Sequence, residues 1–123
     1  MKYDDLYCKL FLDSDLKMDK INEIISRFSN GEIIDFDIIS KWGEITINKN
    51  EDFDISKRQE WPDGFLYYRY YMDIDPNKSC KQADYINNIS MLLTSIWKNG
   101  FKAVAACDFE DELPRKGGYK YRM

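Results

Sequence analysis

The amino-acid sequence predicts an α+β fold, and three observations carry that prediction. Two stretches place apolar residues at helical spacing, the remaining apolar residues alternate as strands do, and the segments follow one another as β-α-β-β-α-β. At 123 residues the chain is long enough to bury a core without disulfides or metals. Its 44% hydrophobic and 33% charged residues are the proportions of an ordinary globular domain.

Residues 6–12 form the first expected strand, with Leu6, Cys8, Leu10 and Leu12 on one face and Tyr7, Lys9 and Phe11 on the other. Asp13-Ser14-Asp15 then offers N-cap side chains to a helix over 15–29. Met18, Ile21, Ile24, Ile25 and Phe28 share one face of it, and Asn30-Gly31 supplies a left-handed stop. Residues 33–39 predict a second strand, Ile34, Phe36 and Ile38 inward, Asp35 and Asp37 outward. Lys41-Trp42-Gly43 bends or breaks it before 44–48 resume the alternation, so one long bent strand and a small hairpin both fit. Residues 49–63 are the longest loop, closed by the turn signal Trp61-Pro62-Asp63-Gly64.

The most aromatic strand is expected over 65–75, with Leu66, Tyr68, Tyr70, Met72 and Ile74 opposite Phe65, Tyr67, Arg69, Tyr71 and Asp73. Ser79-Cys80-Lys81-Gln82 matches a capping box. The helix behind it turns Ala83, Ile86, Ile89, Leu92, Leu93, Ile96 and Trp97 inward and ends at Asn99-Gly100. Residues 101–107 are the last strand, whose alanines predict close packing beneath a helix. Two βα units joined by a hairpin is the ferredoxin-like pattern, a βαββαβ sandwich with two helices on one face of a mostly antiparallel sheet. The other face is left to solvent, ligand or partner. Phe11, Phe65, Tyr67 and Tyr71 fall there, and exposed rings on an open sheet mark contact. Residues 1–113 read as a single domain and 114–123 as a short basic tail.

Charge is unevenly distributed. All 22 acidic residues precede Leu113, whereas Arg115, Lys116, Lys120 and Arg122 follow it, so 14 basic groups face 22 acidic ones in the body, a charge of −8. Such a body repels nucleic-acid backbones and attracts a basic partner. Histidine is absent, which removes the commonest general base, the Ser/His/Asp and Cys/His arrangements, and histidine metal ligation. Cys8, Cys80 and Cys107 are widely spaced, without a CxxC, and read as free, inert core thiols. No Gly-rich phosphate loop is present. The N-terminus lacks the apolar run of a signal peptide, and no segment approaches the roughly 18 apolar residues of a membrane helix, so the expected compartment is the cytoplasm. No cofactor, metal or enzymatic activity is expected.

The stretch 103–114 carries the densest charge: a small-residue strand ending in Asp108, Glu110, Asp111 and Glu112. These oxygens suit a hard cation in principle, but the spacing is not that of an EF-hand loop. Carboxylates that close in sequence seldom face each other as an acid/base pair requires. Two readings remain, a solvated charge run and docking against the arginines and lysines of a partner. Trp61, Phe65, Tyr67 and Tyr71 are the candidate apolar anchors, and the stretch 61–68 fits equally a hydrophobic lid pinned over the core.

The loop-and-strand 61–68 and the segment 103–119 together resemble small bacterial immunity proteins of polymorphic and contact-dependent growth-inhibition toxin systems. The resemblance is one of type and implies a tight binder that masks the active site of a cognate toxin, expected to be a basic domain such as a nuclease. Two other readings stay open. One is a ferredoxin-like regulatory or small-ligand-binding domain, a homodimer through its open sheet. The other is a small hydrolase working through Asp108 and its neighbours.

Overall fold

A computed structural model describes residues 2–121. Two helices and a six-stranded antiparallel open sheet form an α+β fold. In chain order the elements are β1 (Cys8–Asp13), α1 (Met18–Ser29), β2 (Glu32–Ile34), β3 (Asp37–Ile39), β4 (Gly43–Lys49), β5 (Tyr70–Pro76), α2 (Gln82–Lys98) and β6 (Lys102–Cys107). The strands lie in the order β2-β3-β4-β5-β1-β6. Period-two alternation fixes which side chains enter the core. One register row runs Ile38, Ile45, Ile74, Cys8, Cys107, and the next runs Ile47, Met72, Leu10, Ala105. Ile21 and Ile25 of α1 and Tyr85, Ile89, Leu92, Leu93 and Ile96 of α2 close over these rows. Each fully buried aliphatic side chain there contributes about 1.5–3 kcal/mol of transfer free energy.

A simple βαββαβ order does not hold, because the segment between α1 and β5 makes three strands. Asp35 adopts a left-handed conformation (φ 56°) and turns the expected 33–39 strand into a hairpin. Phe36, expected inward, sits at its tip and is 88% exposed. A second tight turn follows, in which Ser40 Oγ donates to the Gly43 carbonyl at 2.9 Å. Trp42 is buried there, its Nε1 donating to Ser29 O at 3.0 Å.

Three local expectations are corrected. α1 begins at Met18, with no side-chain cap, because Asp13 and Asp15 turn their carboxylates to Arg58 instead. The capping box at Ser79–Gln82 does not form; Gln82 instead pins the N-terminal segment, accepting from Tyr3 N (3.2 Å) and donating to Tyr3 O (3.0 Å). β5 starts at Tyr70, and Phe65 to Tyr67 lie in a 3₁₀ turn (Asp63–Tyr67). Asn50 Nδ2 holds that turn by donating to the carbonyls of Leu66 (3.0 Å) and Tyr68 (2.8 Å), acceptors that a strand would have spent on a neighbour.

β6 is a sheet edge, and the C-terminal segment shields it. Trp97 Nε1 donates to Ala103 O at 3.1 Å. The chain then runs back through Glu110–Glu112 and Pro114–Gly118, both of 3₁₀ type. Gly117 (φ +85°) lies so close to β6 that a Cβ there would stand 2.7 Å from Ala105 O. Among the described residues, no helix is long and apolar enough to cross a membrane.

Candidate functional site

The helices cover one face of the sheet, so any site on the other is built from the alternate residues. On that open face the Asp13–Lys102 pair is followed by three register rows. Asn48, Tyr71, Phe11 and Val104 form the first; Asp37, Thr46, Asp73, Lys9 and Ala106 the second; Ile39, Glu44 and Asp75 the third. The last two are acidic. Asp73 accepts from the Tyr7 hydroxyl and from Asn48 Nδ2 (2.9 Å), and Asp37 accepts from Thr46 Oγ1 (2.7 Å). Glu44 and Asp75 are exposed. Partial desolvation, then the charges of Asp73 and Asp5, push the Asp75 carboxyl above its ordinary value. Lys9 is the counter-charge of the second row, its Nζ 4.3 Å from the centre of the Tyr71 ring.

The opposite end of this face is covered by the loop between β4 and β5 and by the C-terminal segment. Phe11, expected to be exposed, is only 6% so, because Phe65 packs edge-on against it at 5.2 Å and Tyr119 against Phe65 at 5.5 Å. Arg58 anchors the loop: its Nη1 lies 3.4 Å from Asp13 and 3.1 Å from Asp15, and Asp15 also meets Arg69 at 3.2 Å. Arg58, then Arg69, hold the Asp15 carboxyl below its ordinary value. Between loop and C-terminal segment lies a cavity of about 600 Å³, with Trp61, Tyr68, Lys102, Lys120 and Tyr121 among its walls.

The sequence-predicted site residues fall into separate groups. Trp61 is 48% exposed at the cavity, and Phe65 is half-buried in the ring stack. Tyr67 lies under Lys57 and Tyr71 under Lys9, both half-buried. Asp108 to Glu112 sit at the other end of β6 from Trp61, so the rings of the loop and these carboxylates do not share one patch. Phe109, fully buried against Tyr85 (5.9 Å) and Tyr3 (6.1 Å), anchors them. Asp108 and Asp111 are exposed and Glu110 is half-buried. Glu112 is partly committed: the Tyr3 hydroxyl, with Lys2 3.5 Å away, holds its carboxyl below the ordinary value. The same bond raises the Tyr3 phenol to about 12. Among the described residues no group of three or more Cys, Asp or Glu side chains converges on a metal position. Cys8 faces Cys107 across β1 and β6, and that contact followed by burial drives its thiol pKa well up.

Sequence reasoning missed Glu44, Asp75 and Lys9 as members of the acidic surface, and Tyr68, Lys102, Lys120 and Tyr121 as cavity walls. The alternation of β4 and β5 contained the signal for the acidic rows. The cavity had none, since its walls come from a loop, a strand start and the chain end. No family model matches this chain, and neither a curated protein nor a solved structure does.

Proposed function

We propose that this chain is an immunity-type inhibitor that binds a basic toxin domain one to one and covers its active site in the cytoplasm. One observation carries the reading: the acidic end of the open sheet, where Glu44, Asp75, Asp37 and Asp73 lie uncovered by any helix. Asp108 and Asp111 stand at the same end, beyond Cys107. Carboxylates so placed oppose the lysines and arginines with which a nuclease would hold phosphate. Asp73 and Asp37 are already oriented by hydrogen bonds, which lowers the entropy lost on docking. Tyr71, one row from Asp73, supplies an adjoining ring. A second copy on this surface would set acid against acid, which argues for a basic partner over a homodimer.

Within this reading, β1-α1-β4-β5-α2-β6 is a ferredoxin-like unit with its strands ordered β4-β5-β1-β6, and the β2-β3 hairpin is an addition at the β4 edge. The test is calorimetric titration of the full chain with the toxin domain encoded by the adjacent reading frame. Stoichiometric binding with loss of toxin activity is expected; no binding at micromolar concentration sinks the proposal.

A further inference from the structure

The cavity at the other end of the sheet plays no part in toxin binding as proposed above, and its reading is independent of it. We propose that this cavity binds a nucleoside monophosphate, a planar aromatic ring carrying a phosphate. Its volume, about 600 Å³, is that of a small-molecule site. Tyr121 is 48% exposed at its wall, and such a ring is a platform on which a base stacks. Trp61 lines the same cavity and serves as its reporter.

The charges select the sign of the ligand. Arg58 and Asp13 are spent on each other, and Asp13 also accepts from Arg69 N at 3.3 Å. What remains is Lys102 and Lys120 against Glu60, a net positive wall on a body of charge −8. A cation would meet two lysines there, and a neutral ligand would desolvate them without return. Tyr68 adds a donor. Its ring is buried, 8% exposed, and its hydroxyl has no hydrogen-bond partner among the described residues. Burial, then the Asp13 charge, raises that phenol to about 12, so it stays protonated at neutral pH.

The experiment titrates the full chain with AMP, GMP, CMP and UMP, read by tryptophan fluorescence and by calorimetry. At least one should saturate with a Kd below about 1 mM. The matching uncharged nucleoside should bind about tenfold more weakly, as should the nucleotide to Lys102→Ala/Lys120→Ala. Trp61→Phe should remove the fluorescence change while heat of binding persists, and Tyr68→Phe, which keeps the ring, should weaken binding severalfold. Three results overturn the proposal: no saturation with any of the four; displacement of the nucleotide by equimolar inorganic phosphate; or equal affinity for indole-3-acetate, an aromatic carboxylate. The lysine variants leave Glu44, Asp75 and Asp111 untouched, so failure here and failure to bind a toxin are separate results.

Discussion

Asp75 and Asp15 are exposed carboxylates whose environments push them in opposite directions, and the difference separates an acid whose charge the fold favours from one whose charge it disfavours. Asp15 is lowered by Arg58 and Arg69, so it stabilises the fold at pH values above the ordinary carboxylate range. That stability is lost as the pH falls through its folded value. Asp75 is raised, so its charged form is disfavoured in the fold. The fold bears that destabilisation at neutral pH and sheds it as the pH falls through the raised value towards the ordinary 3.8. Asp75→Asn should therefore stabilise the protein at pH 7 by about 0.5 kcal/mol, the scale of an exposed charge, or about 2 °C in melting temperature. The gain should vanish near about pH 3. Asp15→Asn should lower the melting temperature at pH 7, with the loss also disappearing in acid. Thermal melts of both variants across pH check the signs, and a destabilised Asp75→Asn would mean that the carboxyl serves the fold.

At the level of elements, the C-terminal segment invites a direct comparison of two glycines. A Cβ at Gly100 (φ +86°) would meet nothing within 4 Å, whereas one at Gly117 (φ +85°) would press on the Ala105 carbonyl at 2.7 Å. Gly100→Ala should cost about 1 kcal/mol, the strain of left-handed backbone alone. Gly117→Ala should cost about 3 kcal/mol, because the segment must also lift from β6. Equal costs in urea unfolding would show that the segment contributes little to stability. The same segment marks the limit of what the sequence discloses. Strand alternation and helical spacing made β1, β6, both helices (apart from Ala83, expected inward but exposed at the start of α2) and the inward faces of β4 and β5 legible, because each is decided within about ten residues. Tyr85 escaped although it shares the buried face of α2 with Ile89 and Leu92, since a phenol enters a core only when an acceptor waits there, here Ile74 O at 3.1 Å. The capping signals at Asp13–Asp15 and Ser79–Gln82 were real as chemistry but were claimed by Arg58 and Tyr3 from elsewhere in the chain. Folding back of 114–121, burial of Phe11 and assembly of the cavity all depend on pairings across the whole length, which no local pattern encodes.

At the scale of the whole molecule, position matters more than net charge for a partner. The open face spans about 20 Å from the Asp13 row to the Asp75 row, while the Debye length is about 8 Å at physiological ionic strength. A docking partner in salt therefore senses the acidic end largely alone, not the body charge of −8. Two double reversals change net charge equally and separate these possibilities. Glu44→Lys with Asp111→Lys acts at the acidic end of the sheet. Glu23→Lys with Asp84→Lys acts on exposed helix positions over the opposite face. If the acidic end docks the toxin, the first pair should slow association about tenfold and flatten its salt dependence. The second pair should leave the rate at about 0.15 M salt within about twofold. Stopped-flow association at several ionic strengths measures both. Equal slowing by the two pairs would mean that the molecule attracts its partner by net charge only, and the docking surface would then lie elsewhere.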